Sequence, residues 1–448
     1  MTIRKPAIAA FRGMVLDFLT DPGEGDDPYA FRFFDDGLLV IDEGRVKSVG
    51  PARDLLASLP EGASVTDYSG RLLLPGFVDA HIHYPQIDVI ASYGARLLDW
   101  LERYTFPAEA RFGDATHAQE AADFFLDELL RNGTTTALVL GSVHPVSVEV
   151  FFERCLTRNL RMVAGKVLMD RNCPQSVRDS AVSGYRESAE LIEKWHRRGR
   201  LGYAITPRFA GTSSDAQLQL AVQLAREHPD THIHSHMSET AEEIALVREL
   251  FPWSTSYLDV YDRFGLLRER AVYAHCIHLD TQERSRFARS GAAAAACPTS
   301  NLFLGSGLFD FDASLAAGMR VGIGTDVGGG TSFSMLRTLS EAYKVAQLAR
   351  QRLSPWRAFY LATLGGAQAL RLDREIGNFE PGKEADFVVL RLDATPLLER
   401  RMHAAQTLAE KLFVLMTLGD DRAVAATYIL GEPAYVDRPP SMHRSAAA

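Results

Sequence analysis

Two histidines separated by one residue, His81 and His83, lie in the segment PGFVDAHIHYPQ. Side chains two positions apart on a β-strand point to the same face and stand roughly 6–7 Å apart along it. Twist and bending at the end of such a strand can bring both imidazoles onto one ion, and neutral imidazole is a good zinc ligand. Because this spacing also occurs by chance in ordinary strands, the metal hypothesis needs further ligands elsewhere in the chain.

Other polar residues also stand at or near the ends of apolar runs. Arg208 follows the run GYAITP, His236 stands at the end of HIHSHM, His275 lies in AVYAHCIHL, and Asp326 follows RVGIGT. This repeated placement predicts that the runs are strands whose ends meet at one site.

Eight compact apolar or β-branched runs make up the middle of the chain, and amphipathic helix-like stretches separate most of them. The runs are LLLPGFVDAHIH, TTTALVLGSV, RMVAGKVLMD, GYAITPRF, HIHSHM, AVYAHCIHL, AAAAACPTS and RVGIGTDVGG. Eight strands with helical connections predict an α/β fold, a (β/α)8 barrel of the TIM type. The alanine-rich run is the weakest of the eight, because alanine favours helix. In this barrel the carboxyl ends of the strands form one rim, where active sites lie.

A common rim would bring four potential metal ligands together: His81, His83, His236 and Asp326. Three imidazoles and one carboxylate, with a coordination position left for water, are a suitable ligand set for a catalytic metal ion. Zinc is the first choice and iron(II) the second, because nitrogen and oxygen ligands do not separate the two well. His234, which alternates with His236 on the same run, is the alternative ligand.

The segments on both sides of the barrel runs alternate apolar and polar residues, as in FRFFDDGLLVIDEGRVKSVG and GKEADFVVLRLD. Alternation broken by Gly and Asp turns is typical of short strands. We therefore predict a small β-sandwich domain formed from both chain ends, residues 1–73 and 376–448. The catalytic barrel is predicted over residues 74–375.

The composition of the 448 residues narrows the class of protein. Hydrophobic residues make up 46% and charged residues 23%, which is typical of a soluble globular protein. The formal net charge of −9 argues against binding nucleic acid through a basic surface. The four cysteines have no CxxC spacing and do not form a disulfide framework, which favours a reducing cytoplasm. No run approaches the ~20 apolar residues of a membrane span.

Several segments together resemble the amidohydrolase superfamily of metal-dependent hydrolases. PGFVDAHIHYPQ, HSHMSE and GTD match the superfamily, while WLERYTFPAE, TPRF and GTDVGGG resemble the guanine deaminases within it. The resemblance spans residues 75–390 and implies a homodimer that deaminates guanine to xanthine and ammonia in purine catabolism. The implied cofactor is one zinc ion per chain, because GYAITPRF lacks the lysine that bridges two metals in binuclear relatives. The family usually has a residue other than histidine at the position of His234.

The resemblance also implies catalytic roles for three residues. Asp326 would accept a proton from the attacking water while it contacts the metal, and His275 would orient or polarise that water. Glu239 in HSHMSE would protonate ring N3 of guanine as the water attacks C2. Glu239 also has a structural interpretation, as an acidic residue in the first turn of a helix that Ser238 would cap. The two interpretations are compatible.

Recognition of a planar purine needs donors, acceptors and apolar covers. Arg208 offers a rigid donor fork for a ring carbonyl, Gln86 offers a donor and an acceptor, and Phe209 and Trp100 would cover the ring faces. Arg208 as a structural ion-pair partner and Trp100 as a core residue are the alternatives.

Two other functions remain open at this stage. One is a different amidohydrolase that acts on a pterin, a triazine or an oxidised guanine. The other is a non-enzymatic binding or scaffold role on a degenerate barrel, which the intact metal and acid–base positions disfavour.

Overall fold

The structure, a computed structural model, describes residues 8–25, 27–94 and 96–437. The outermost parts of the predicted end domain, residues 1–7 and 438–448, lie outside this range. Within it the strands, in chain order, are β1 (Ile8–Phe18), β2 (Phe31–Asp42), β3 (Arg45–Pro51), β4 (Ser64–Pro75), β5 (Phe77–His83), β6 (Thr134–Leu140), β7 (Arg161–Gly165), β8 (Val167–Leu168), β9 (Gly202–Pro207), β10 (His232–Met237), β11 (Ala271–His275), β12 (Ala293–Ala296), β13 (Arg320–Ile323), β14 (Phe387–Leu390), β15 (Val424–Ile429) and β16 (Glu432–Val436).

Helices connect most of these strands. In chain order they are α1 (Ala52–Leu55), α2 (Leu97–Trp100), α3 (Phe106–Ala110), α4 (Ala115–Arg131), α5 (Pro145–Thr157), α6 (Ala181–Trp195), α7 (Asp215–Glu227), α8 (Ala241–Leu250), α9 (Tyr257–Phe264), α10 (Thr281–Ser290), α11 (Pro298–Phe303), α12 (Phe311–Ala316), α13 (Met335–Leu348), α14 (Pro355–Leu361), α15 (Leu364–Ala369), α16 (Pro396–Ala404) and α17 (Leu408–Leu418). A π-helical turn, Leu101–Thr105, joins α2 to α3. None of the described helices is long and apolar enough to cross a membrane.

Eight parallel strands form the predicted barrel, in the order β5-β6-β7-β9-β10-β11-β12-β13, with the short β8 paired to β9. The chain beyond β13 closes the ring against β5. There the Asp326 amide donates to the His81 carbonyl at 2.9 Å, and the His83 amide donates to the Val327 carbonyl at 2.8 Å. The predicted TIM-type fold class is confirmed.

The alanine-rich run is a strand despite the helix propensity of alanine. Residues Ala293–Ala296 are all buried and pair with β11 on one side and β13 on the other. Two parallel neighbours satisfy the backbone groups of this segment, and burial between them outweighs a propensity difference of less than about 1 kcal/mol per residue.

Both chain ends contribute to one mixed sheet of seven strands, in the order β16-β15-β14-β4-β1-β2-β3. β1 pairs antiparallel with β2 and parallel with β4, and β14 joins the C-terminal strands to the N-terminal ones through β4. Helices α16 and α17 lie between β14 and β15, within residues 376–448, which the sequence assigned to a small β-sandwich domain. Strand β4 leads directly into β5, so the sheet leads into the first strand of the barrel.

Candidate metal centre and catalytic pocket

Four side chains predicted as metal ligands converge at the rim of the barrel. His83 Nε2 lies 3.1 Å from His81 Nε2 and 3.2 Å from His236 Nε2. Asp326 Oδ1 lies 3.1 Å from His81 Nε2 and 3.3 Å from His83 Nε2. One donor atom from each of the four residues falls within 4.8 Å of the others. Strands β5 and β10 and the turn after β13 thus supply one compact donor cluster.

The donor cluster fits a divalent metal ion such as zinc. Four ligands arranged tetrahedrally at 2.0–2.1 Å from zinc stand about 3.3 Å apart, close to the separations of these atoms. Burial lowers the pKa of His83 to about 4, and it also lowers the pKa values of His81 and His236. The imidazoles are therefore neutral at pH 7, which is the form that binds metals. Nitrogen and carboxylate oxygen donors suit zinc and iron(II) alike.

The outer nitrogens of two imidazoles have partners that leave Nε2 available for a metal. His236 Nδ1 donates to the Arg208 carbonyl at 2.6 Å. His81 Nδ1 lies 2.7 Å from Nε2 of His234, a buried side chain at the preceding inward position of β10. Such outer partners orient a ligand and select its tautomer. His234, the alternative ligand from the sequence, thus contacts His81, whereas His236 is the β10 histidine in the donor cluster.

The outer nitrogen of His83 has a different environment. His83 Nδ1 lies 3.0 Å from the amide nitrogen of Gln86, and that nitrogen also donates to Glu109 Oε1 at 2.9 Å. A ligating His83 carries its proton on Nδ1, where it meets another donor. The hydrogen bond from Gln86 Nε2 to the Glu109 carboxylate then holds the Gln86 side chain in this position.

The three predicted catalytic side chains surround the open side of the donor cluster. His275 Nε2 lies 3.4 Å from Glu239 Oε2 and 3.8 Å from Asp326 Oδ2. Burial, followed by the nearby Asp326 carboxylate, raises the pKa of Glu239 to about 8. Burial alone would raise the pKa of Asp326 too, but attraction to the neighbouring His81 and His275 rings and hydrogen bonds with His81 and His83 hold it well below its usual range. One carboxyl is therefore protonated at neutral pH and the other ionised, as an acid–base pair requires.

Two polar side chains that the sequence analysis did not single out hold this group in place. Ser306 Oγ donates to Glu239 Oε1 at 2.8 Å, and Asn301 Oδ1 accepts the Nδ1 proton of His275 at 2.8 Å. The Asn301 contact leaves His275 Nε2 as an acceptor. Both residues belong to CPTSNLFLGSG, a segment that carried the family resemblance, and this was the available signal.

Two of the predicted catalytic residues, both at or just after the ends of strands, have a strained backbone conformation. His275 and Asp326 adopt φ values of 70° and 51°, in the left-handed region that non-glycine residues rarely occupy. Such conformations persist only where the surroundings enforce them, and they cluster at functional sites.

Glu239 precedes a helix but is not in its first turn. The N-cap of α8 is Thr240, whose side chain accepts the Glu243 amide, and Ser238 has a φ of 51° instead of capping the helix. The carboxylate of Glu243 accepts the Glu239 amide at 2.8 Å and a hydrogen bond from Tyr257 Oη at 2.7 Å. The expected Ser238 cap was therefore wrong by two residues, because the chain must first turn Glu239 towards the cavity.

The donor cluster opens into a cavity whose wall carries both polar and apolar side chains. Nine of the ten predicted site residues line the cavity, and the tenth, His81, is fully buried. The nine are His83, Gln86, Trp100, Arg208, Phe209, His236, Glu239, His275 and Asp326. Most of the residues that line the cavity were therefore predicted from the sequence as site residues.

Arg208 and Trp100 line the cavity and also make the structural contacts that were considered as their alternative roles. Arg208 forms a buried ion pair with Glu109 at 2.8 Å and also lines the cavity. Trp100 is only 2% exposed and donates to the Ser92 carbonyl at 3.2 Å, yet its ring forms part of the cavity wall. Glu109 was absent from the sequence prediction.

Comparisons with known proteins agree with this architecture. The profile of the amidohydrolase family matches residues 72–434. Guanine deaminase of Escherichia coli K12 is 51% identical over 429 residues, which cover 96% of this chain and 98% of that protein. A solved structure of the E. coli enzyme superimposes with a TM-score of 0.93 over 96% of this chain and 100% of that one.

A more distant solved structure is that of guanine deaminase from C. acetobutylicum with guanine bound in its active site. It shares 28% identity, has a TM-score of 0.86, and is matched over 96% of this chain and 100% of that one. Human guanine deaminase is 34% identical over 377 residues, which cover 80% of this chain and 82% of that protein. The chain therefore belongs to the amidohydrolase family and, within it, to the guanine deaminases.

Proposed function

We propose that this chain is a hydrolase that deaminates guanine, releasing xanthine and ammonia in purine catabolism. The observation that carries the proposal is the position of two carboxyls, Glu239 and Asp326, which lie 3.4 Å and 3.8 Å from His275 Nε2 beside a metal-ligand cluster. Glu239 has a pKa raised to about 8, whereas the pKa of Asp326 lies well below its usual range. Both carboxyls face His275 in one cavity, so a proton donor and a proton acceptor are available together. The 51% identity to the E. coli enzyme supports guanine as the substrate.

His81, His83, His236 and Asp326 would hold one zinc ion per chain, with iron(II) as the alternative metal. The ion would act as a Lewis acid that lowers the pKa of water from 15.7 towards 7. The outer hydrogen bond of His236 and the His81–His234 contact keep two imidazoles in a ligating orientation.

The carboxyl groups of Asp326 and Glu239 transfer the protons in the reaction. Ionised Asp326 accepts a proton from the water that attacks C2 of guanine. Protonated Glu239 donates to ring N3 and so neutralises the charge that develops there. His275, whose Nδ1 donates to Asn301, presents Nε2 as an acceptor that orients the water. Asp326, now protonated, then donates to the exocyclic nitrogen while ionised Glu239 takes the proton of the new C2 hydroxyl, so that the C2–N bond breaks, the C2 carbonyl of xanthine forms and ammonia leaves.

Guanine recognition involves residues on the cavity wall away from the donor cluster. Arg208 donates to the ring carbonyl oxygen, and Gln86 contacts the polar edge of the purine. Trp100 and Phe209 cover the ring faces with apolar surface. All four side chains line the cavity, which supports this assignment. Polar groups matched to the substrate reject analogues that lack the partner atoms.

The setting of the reaction follows from the same resemblance. We propose a cytoplasmic homodimer, with a small purine as the ligand and neither nucleic acid nor membrane as a partner. The net charge of −9 supports the exclusion of nucleic acid.

The test is the purified chain, loaded with zinc, with guanine as substrate. We expect xanthine and ammonia to form in equal amounts, with adenine inert. Xanthine is followed by its absorbance and ammonia by a coupled assay. A pterin, a triazine and 8-oxoguanine are assayed in parallel. If one of these turns over while guanine does not, the chain is a different amidohydrolase, and if none turns over in the metal-loaded protein, the hydrolase proposal fails.

A further inference from the structure

A buried carboxylate lies behind the substrate-facing wall of the cavity. Glu109 in α3 is 0% exposed. Arg208 Nη1 donates to both of its oxygens at 2.8 Å, and Gln86 Nε2 donates to Oε1 at 2.9 Å. The Glu109 carbonyl in turn accepts the hydroxyl proton of Ser142 at 2.8 Å, which fixes this turn of the helix. Two side chains on the cavity wall thus share one hidden partner.

Glu109 serves Arg208 as a counterion. Arg208 is 3% exposed, and a buried guanidinium without a neutralising partner is strongly unfavourable. Among the described residues, the hydrogen bonds of the Arg208 side chain all run from Nη1 to Glu109. Nε and Nη2 remain as donors for a ligand. The ring of Phe106 lies 5.5 Å from the guanidinium carbon and limits its movement.

Glu109 also selects the orientation of the Gln86 amide. Gln86 Oε1 accepts the Gly328 amide at 3.2 Å, while Nε2 donates to the carboxylate. A half-turn of the amide would place oxygen against a carboxylate and nitrogen against an N–H group. Both contacts would be repulsive, and the contact with the charged carboxylate outweighs the one contact that the half-turn would improve, that of Gln86 with the Nδ1 proton of a ligating His83. The carboxylate therefore determines which amide atom lies at each point of the cavity wall.

We propose that Glu109 is a positioning residue that sets the purine specificity of this site, an inference that rests on the proposed function. It holds Arg208 as a donor aimed at a carbonyl oxygen and keeps Gln86 in one amide orientation. The site would then prefer a purine with a carbonyl at C6 over one with an amine there. 2,6-Diaminopurine is the matched probe, because it keeps the 2-amino leaving group of guanine and replaces the 6-oxo lactam by a 6-amine, with loss of the N1 proton.

The experiment compares kcat and KM for guanine and 2,6-diaminopurine in the zinc-loaded wild-type chain and in Glu109→Gln. We expect the variant to raise KM for guanine at least about tenfold, because a buried donor loses its charged partner. The preference for guanine over 2,6-diaminopurine should fall by a similar factor, while kcat for guanine and the zinc content change little. Glu102→Gln, an exposed position on the same helical segment, is the control.

A double-mutant cycle separates positioning from a general structural effect. If Glu109 acts through Arg208, Glu109→Gln should change the guanine preference far less in an Arg208→Gln background than in the wild type. Glu109→Asp retains the charge and should recover part of the preference, and it replaces Glu109→Gln if that variant does not fold.

A folded, zinc-loaded variant whose guanine preference stays within twofold of wild type would overturn this inference and leave the proposed function intact. A wild-type chain that fails to deaminate guanine would overturn both.

Discussion

Ser306 Oγ donates a hydrogen bond of 2.8 Å to Oε1 of Glu239, and the two residues are 67 positions apart in the chain. The contact reaches from the turn after α11 to the carboxyl beside the donor cluster. It leaves the second oxygen of Glu239 facing His275 at 3.4 Å. A hydrogen bond to the ionised form lowers the pKa of a carboxyl, so Ser306 limits how far burial raises that of Glu239.

The Ser306→Ala variant should therefore move the alkaline limb of the pH–rate profile. Activity requires protonated Glu239, so kcat should fall as the pH rises through the pKa of this group, which burial raises to about 8. Loss of the Ser306 hydroxyl raises the pKa further, and the limb shifts to higher pH. The profile of kcat against pH measures this shift, with Ser285→Ala as a remote control. A limb that moves to lower pH would contradict the proposed role of Glu239 as the acid.

The Glu239→Gln variant should lose catalysis without losing metal. A positioned general acid contributes about 10²–10⁴-fold, so kcat should fall by that factor. Glutamine keeps the shape of the side chain and its contact with Ser306 but cannot deliver the proton. Metal content, measured by elemental analysis, should equal that of the wild type. Glu242→Gln, at an exposed position three residues further along, should change neither quantity. Near-normal kcat in Glu239→Gln would exclude Glu239 as the proton donor.

His234 should strengthen metal binding through His81. Its Nε2 lies 2.7 Å from His81 Nδ1, and loss of such an outer acceptor typically costs 10–100-fold in metal affinity. His234→Leu removes the acceptor and should weaken zinc binding by about that factor, measured by competition with a chelator. His234→Gln supplies a carbonyl oxygen instead and should retain most of the affinity. Equal affinities in the two variants would show that the His81–His234 contact does not matter for binding.

Asp79 should stabilise the closure of the barrel. Its Oδ1 accepts the amides of His81 at 3.1 Å and Thr325 at 3.0 Å, which joins β5 to the chain after β13. Asp79→Ala leaves these buried donors without partners and should lower the free energy of unfolding by about 1–3 kcal/mol or more. Asp79→Asn should cost less, because its oxygen keeps the two amides and the Thr325 hydroxyl can reverse to accept from nitrogen.

Denaturant unfolding measures both Asp79 variants, with the exposed Asp67→Asn as the control. An Asp79→Ala chain as stable as the wild type would show that barrel closure does not depend on this carboxyl.

The sequence by itself determined the architecture and the identity of most of the cavity wall. The eight runs could be recognised because strand periodicity is local, and polar residues at the ends of parallel strands share one rim wherever the strands form a barrel. That rule linked His81 to Asp326 across 245 positions without a structure. Even the doubtful alanine run at residues 293–296 followed the alternation of strands and helices.

Only the tertiary structure decided which side chains support that wall. Glu109 lies in a helical segment 99 positions before Arg208, and no local pattern relates the two. Ser306 and Glu239 are likewise far apart in the chain, and no local pattern relates them. Helices α16 and α17 also could not be predicted, because they interrupt an end region with strand-like alternation. The physical reason is that such partners are selected by burial: a charge or hydroxyl removed from water must find whatever group packing places beside it.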